Sequence, residues 1–87
     1  MAVSRPVVVP FRECTRGRFK AFRARIRVQA VNVIVLGDTG TAEGDGLKLS
    51  WSYDEPAQVL TLTCTERPWY KSAALVQSRM QGMMEAL

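Results

Sequence analysis

At 87 residues the chain has room for one small domain with a modest core, and its 47% apolar and 23% charged residues are the composition of a chain that folds. The net charge of +4 is unevenly spread: Arg5 to Arg27 holds eight of the 12 Lys and Arg residues against one acid, Glu13, a net +7, which leaves −3 for the remainder. With no histidine, no close cysteine pair and no apolar run approaching roughly 18 residues, the sequence carries neither a zinc motif nor a membrane span.

Residues 1–15 come first. Arg5 and Pro6 interrupt Met1–Pro10, and Val7-Val8-Val9 is short for the apolar centre of a leader, so this segment is expected in the mature protein. Pro6 and Pro10 bracket the valines, which suits a sheet edge, where a missing N–H is tolerated. An edge strand or a loosely ordered arm is the expectation.

From Phe22 to Ala30 the chain alternates strictly, with Phe22, Ala24, Ile26, Val28 and Ala30 in one phase and Arg23, Arg25, Arg27 and Gln29 in the other. That period predicts a half-buried strand, which the β-branched run Val31–Leu36 prolongs. Phe19 is out of phase, so a bulge near Lys20–Phe22 goes with this reading. A helix competes over Arg16–Arg27, because Phe19, Phe22 and Ile26 also fit a 3.6-residue stripe. The strand is preferred because the run Val31–Leu36 continues it without a break.

Residues 37–46, with four glycines and three acids, predict a flexible, exposed loop. Asp38, Glu43 and Asp45 do not follow the calcium-loop order, and no Gly-Lys-[Ser/Thr] makes the segment a phosphate loop. Leu47–Tyr53 and Gln58–Thr65 then predict a β-hairpin around Asp54-Glu55-Pro56-Ala57, with Leu47, Leu49, Trp51, Tyr53, Leu60, Leu62 and Cys64 in the apolar phases. After Pro68, Ser72 is set to cap a helix through about Ala86 that aligns Val76, Met80, Met83, Met84 and Leu87. Gly82 weakens that helix by about 1 kcal/mol unless close packing requires it. The sum is an α+β fold: one small domain over residues 1–87, with an antiparallel sheet of three to four strands and one C-terminal helix on one face.

Three groups are candidates for binding. Arg16, Arg18, Lys20, Arg23, Arg25 and Arg27 form a polyanion or partner site; on a strand, the last three would repeat at about 6.6 Å, close to the phosphate spacing of a single nucleic-acid strand. The same arginines also suit a solvated face or a charged edge that discourages sheet pairing. Met80, Met83, Met84 and Leu87 are either core or an interface with a second copy. Trp69 and Tyr70, at the strand-to-helix junction, are candidate exposed contacts, whereas Trp51 and Tyr53 belong to the core. Cys14 and Cys64 are open to pairing or to remaining thiols, and Cys64 lies in an apolar phase that makes it inert.

No nucleophile stands beside a base, so catalysis is not expected, nor is a cofactor or a metal. The residues favour a cytoplasmic, non-enzymatic protein-interaction module, self-associating into a homo-oligomer and presenting a basic strand face or a sheet edge to a protein partner. Nucleic-acid binding through the arginine-rich segment 16–27 is the alternative.

Overall fold

The hairpin over residues 47–65 forms as its apolar alternation requires. In the computed structural model, which describes residues 6–44, 46–67 and 72–87, its strands are Leu47–Asp54 (β4) and Val59–Glu66 (β5). They pair antiparallel, with Trp51 opposite Leu62 and Tyr53 opposite Leu60. Three more strands extend the sheet: Val7–Phe11 (β1), Asn32–Leu36 (β2) and Thr39–Gly44 (β3). The order across it is β1-β5-β4-β3-β2, antiparallel throughout. The sheet thus has five strands among the described residues, more than the three to four expected.

Two helices, Arg16–Gln29 (α1) and Ala73–Glu85 (α2), accompany it, where one was expected. The segment 16–29 is a helix and not the strand its alternation suggested. Three members of the apparent apolar phase, Ala24, Val28 and Ala30, are small or lie at the helix end, whereas the large side chains Phe19, Phe22 and Ile26 follow the helical period and are the ones buried. Thr15 starts the helix by accepting a hydrogen bond from the Arg18 backbone N–H onto Oγ1 at 3.2 Å. No bulge near Lys20 is needed once the chain is helical there.

The expected loop 37–46 is mostly strand. Gly37 turns β2 into β3 with φ of 63°, a conformation glycine adopts without cost. Gly40 then sits in β3 under the Trp51 indole, where a Cβ would fall 2.3 Å from Cζ2 and 2.6 Å from the Ile34 carbonyl oxygen. The glycines therefore mark a tight turn and a close approach of backbone to an aromatic ring.

One face of the sheet carries both helices. Phe19 stacks on Tyr53 with ring centroids 4.4 Å apart, and Phe22 meets Trp51 edge-on at 5.3 Å. From α2, capped by the Ser72 hydroxyl accepting from the Leu75 N–H at 3.1 Å, Val76, Met80 and Met84 complete the core. The Tyr53 hydroxyl donates to the Cys14 carbonyl at 2.6 Å, which ties the chain entering α1 to the sheet and satisfies a buried O–H. Cys14 and Cys64 are buried free thiols with no disulfide between them. Among the described residues nothing covers the opposite sheet face, and cross-strand register sets Thr63, Ser50 and Thr41 in one row and Thr61, Ser52 and Thr39 in the next. Among the described residues no helix is long and apolar enough to cross a membrane.

Candidate partner-binding surface

Six cations and no acid occupy the 14 residues of α1. At about 100° per residue, Arg16, Lys20, Arg23 and Arg27 share a sector of about 60°, and Arg18 and Arg25 fall on the opposite flank. The contacts agree with this division. Arg18 Nη2 donates to the Met84 carbonyl at 2.9 Å, and Arg25 lines a groove of about 480 Å³ between α1 and α2, so that flank faces α2.

The other flank faces the β2 side. Arg16 Nη1 reaches Asp38 Oδ1, in the turn after β2, at 2.6 Å, and its Nη2 bonds Glu55 in the turn after β4. Its guanidinium also lies 5.0 Å from the Tyr53 ring centroid. Hydrogen bonds from Arg16 hold both carboxyls below the usual carboxylate range and raise Arg16 itself. Arg23 lies 4.7 Å over the Phe19 ring and adds to the positive field at Asp38.

α1 and β2 run antiparallel with a short link between them, so the four-cation stripe follows the strand. From Arg16 to Arg27 the helix rises about 16 Å, and the five residues of β2 span about the same length. Arg16 is occupied by its two carboxylates. Lys20, Arg23 and Arg27 make no ion pair with any described residue. Two like-charge pairs at i,i+4, Arg16–Lys20 and Arg23–Arg27, each oppose the helix by a few tenths of a kcal/mol, and the first turn has no acid to complement its dipole. The helix forms because Phe19, Phe22 and Ile26 pack, in spite of this charge.

The strand beside the stripe is itself unusual. β2 has one sheet neighbour among the described residues, β3, and its sequence Asn-Val-Ile-Val-Leu holds no charge and no proline. Edge strands are ordinarily blunted by such residues. The other edge is blunted: β1 contains Pro10 and packs beside α2. Large exposed apolar side chains lie in and next to β2, with Val31 80%, Leu36 68% and Ile34 59% accessible. Ile34 and Leu36 point to the bare face, while Val33 and Val35 lie half-buried on the helix side.

Segment 16–27 therefore separates into two surfaces: Arg16, Lys20, Arg23 and Arg27 come together along β2, and Arg18 and Arg25 do not join them. In α2, Met80 and Met84 belong to the chain's own core, Met83 is half-buried beside it, and Leu87 is exposed. Trp69 and Tyr70 lie outside the described residues. Sequence reasoning missed the β2 edge because a continuous strand 22–36 left no edge to recognise. Its legible signal is an uncharged β-branched run paired with the absence of proline, against Pro10 in β1.

Burial pushes the thiols of Cys14 and Cys64 up, which disfavours their reactive thiolates. Among the described residues no group of three His, Cys, Asp or Glu side chains is placed to hold a metal ion. Comparison with family models, with curated proteins and with solved structures finds no match for the chain.

Proposed function

We propose that the protein is an interaction module without chemistry of its own, which binds an anionic partner along the outer flank of α1 and the adjoining edge of β2. The observation that carries this reading is the run of Lys20, Arg23 and Arg27, unpaired among the described residues and kept on one helix face against its own repulsion. Concentrated unpaired charge beside exposed apolar surface favours encounter with an oppositely charged partner more than it favours folding. A nucleic-acid partner has less support. Recognition of single strands uses exposed aromatic rings as stacking platforms, and among the described residues Trp51, Tyr53, Phe19 and Phe22 are buried.

The test uses fluorescein-labelled poly-glutamate at about 50 and 200 mM salt, a range over which contacts between opposite charges are progressively screened. Binding should weaken with salt and fall at least about tenfold in the triple variant Lys20→Gln, Arg23→Gln, Arg27→Gln, while Arg25→Gln changes it less than about twofold. Absence of binding at the lower salt, or equal loss in Arg25→Gln, would overturn the reading.

A further inference from the structure

We infer that the partner is an extended protein segment that adds to β2 as a sixth strand, with acidic residues alternating with apolar ones. This rests on the proposed anionic-partner reading and goes beyond it, because an acidic surface of any shape would satisfy the stripe alone. The chemistry of the edge selects an extended chain. β2 offers main-chain donors and acceptors along one side and has nothing to repel a strand, whereas the opposite edge has Pro10.

The two faces of such a strand meet different surroundings. Side chains on the helix side would lie over the rim formed by Val33 and Val35, within reach of Lys20, Arg23 and Arg27. Those on the bare side would lie beside Ile34 and Leu36. Successive side chains of a strand alternate between faces, so one segment meets both demands with carboxylates at every second residue, about 6.6 Å apart. The three cations span eight residues of helix, a rise of about 10 Å, enough for two such carboxylates.

A second copy of this chain fits the edge poorly. Antiparallel pairing of β2 with its own copy places both helix layers on the same sheet face, related by a two-fold axis. The cationic stripes would then confront each other across that axis with no acid of α1 to offset them.

The probe is the octapeptide (Glu-Val)4, labelled, with two backbone N-methylated versions: one methylated at every glutamate, the other at every valine. In an added strand only alternate N–H groups point to the neighbouring strand. One methylated series should therefore lose at least about tenfold in affinity and the other less than about threefold, the loss corresponding to several main-chain hydrogen bonds. A peptide of the same composition with its glutamates in one block should also bind more weakly, since it cannot separate its faces.

Equal behaviour of the two methylated series would overturn strand addition, and if poly-glutamate still required Lys20, Arg23 and Arg27, the broader reading would stand alone. Failure of both probes would remove both. A single-stranded oligonucleotide that displaced the peptide at lower concentration would overturn the choice of a protein segment. So would a wild-type dimer, seen by sedimentation, that the peptide dissociates, since the edge would then belong to a second copy.

Discussion

Arg16 joins fold and surface. Its guanidinium bridges Asp38 and Glu55, from two different turns, while lying over the Tyr53 ring, so one side chain fastens the start of α1 to the sheet. Because hydrogen bonds from Arg16 hold both carboxyls below their ordinary range, the folded chain binds these protons less readily than the unfolded chain. Their stabilisation is therefore in force at about pH 5 and above, and is lost as the pH falls through the depressed values. Thermal unfolding followed by circular dichroism should show a larger drop in midpoint between about pH 5 and pH 3 for the wild type than for Arg16→Gln. An equal drop would mean that the bridge has no role in acid sensitivity. Two glycines give a contrasting pair at the same scale. Gly40→Ala forces a methyl into the Trp51 ring and the Ile34 carbonyl and should destabilise by about 1–3 kcal/mol or more. Gly82, inside α2, has nothing within 4 Å of an added Cβ, so Gly82→Ala should stabilise by about 0.5–1 kcal/mol. Urea midpoints of the two variants check both signs.

Among the elements, α1 owes its existence to packing and capping against its own charge. Thr15→Ala removes the acceptor for the Arg18 N–H and should cost about 1 kcal/mol in urea unfolding, as Ser72→Ala should at the start of α2. Raising ionic strength should stabilise the protein modestly by screening the repulsion in α1, and the gain should shrink in the triple glutamine variant. The elements that were plain in the residues are those whose side chains carry one period only. β4 and β5 alternate cleanly from Leu47 to Thr65, and α2 repeats Val76, Met80 and Met84 behind a serine cap. The β-branched run after Val31 is indeed a strand. At α1 the sequence satisfied two periods at once, and the decision fell to the Thr15 cap and to where Phe19 could find Tyr53, a contact 34 residues away. β3 was hidden for a different reason. Thr39-Gly40-Thr41-Ala42-Glu43-Gly44 has no apolar alternation, and its place in the sheet comes from backbone pairing to β4 on one side and β2 on the other. The candidate site was half legible for the same reason. The cations were conspicuous by composition, but which four of them align, and what they align with, depends on the helix and on β2 becoming an edge.

At the scale of the whole molecule, the sheet is asymmetric in every direction that matters for binding. Among the described residues, one face is covered by both helices and the other presents hydroxyls together with Ile34 and Leu36; one edge carries proline beside α2, and the other is open beside a cationic helix flank. Three cations of α1 without an ion pair among the described residues, Lys20, Arg23 and Arg27, are thereby lined along a single side, where Val31, Ile34 and Leu36 are also exposed. Charge would bring an acidic partner to this side, and the edge would hold it in register. The most direct measurement is a backbone amide NMR titration of the wild-type chain with the (Glu-Val)4 peptide, reading which residues shift. Shifts and slowed amide exchange confined to Asn32–Leu36, with shifts at Lys20, Arg23 and Arg27, are the predicted result. Shifts centred on β1, on α2 or on the groove between the helices would contradict the account and move the binding surface elsewhere.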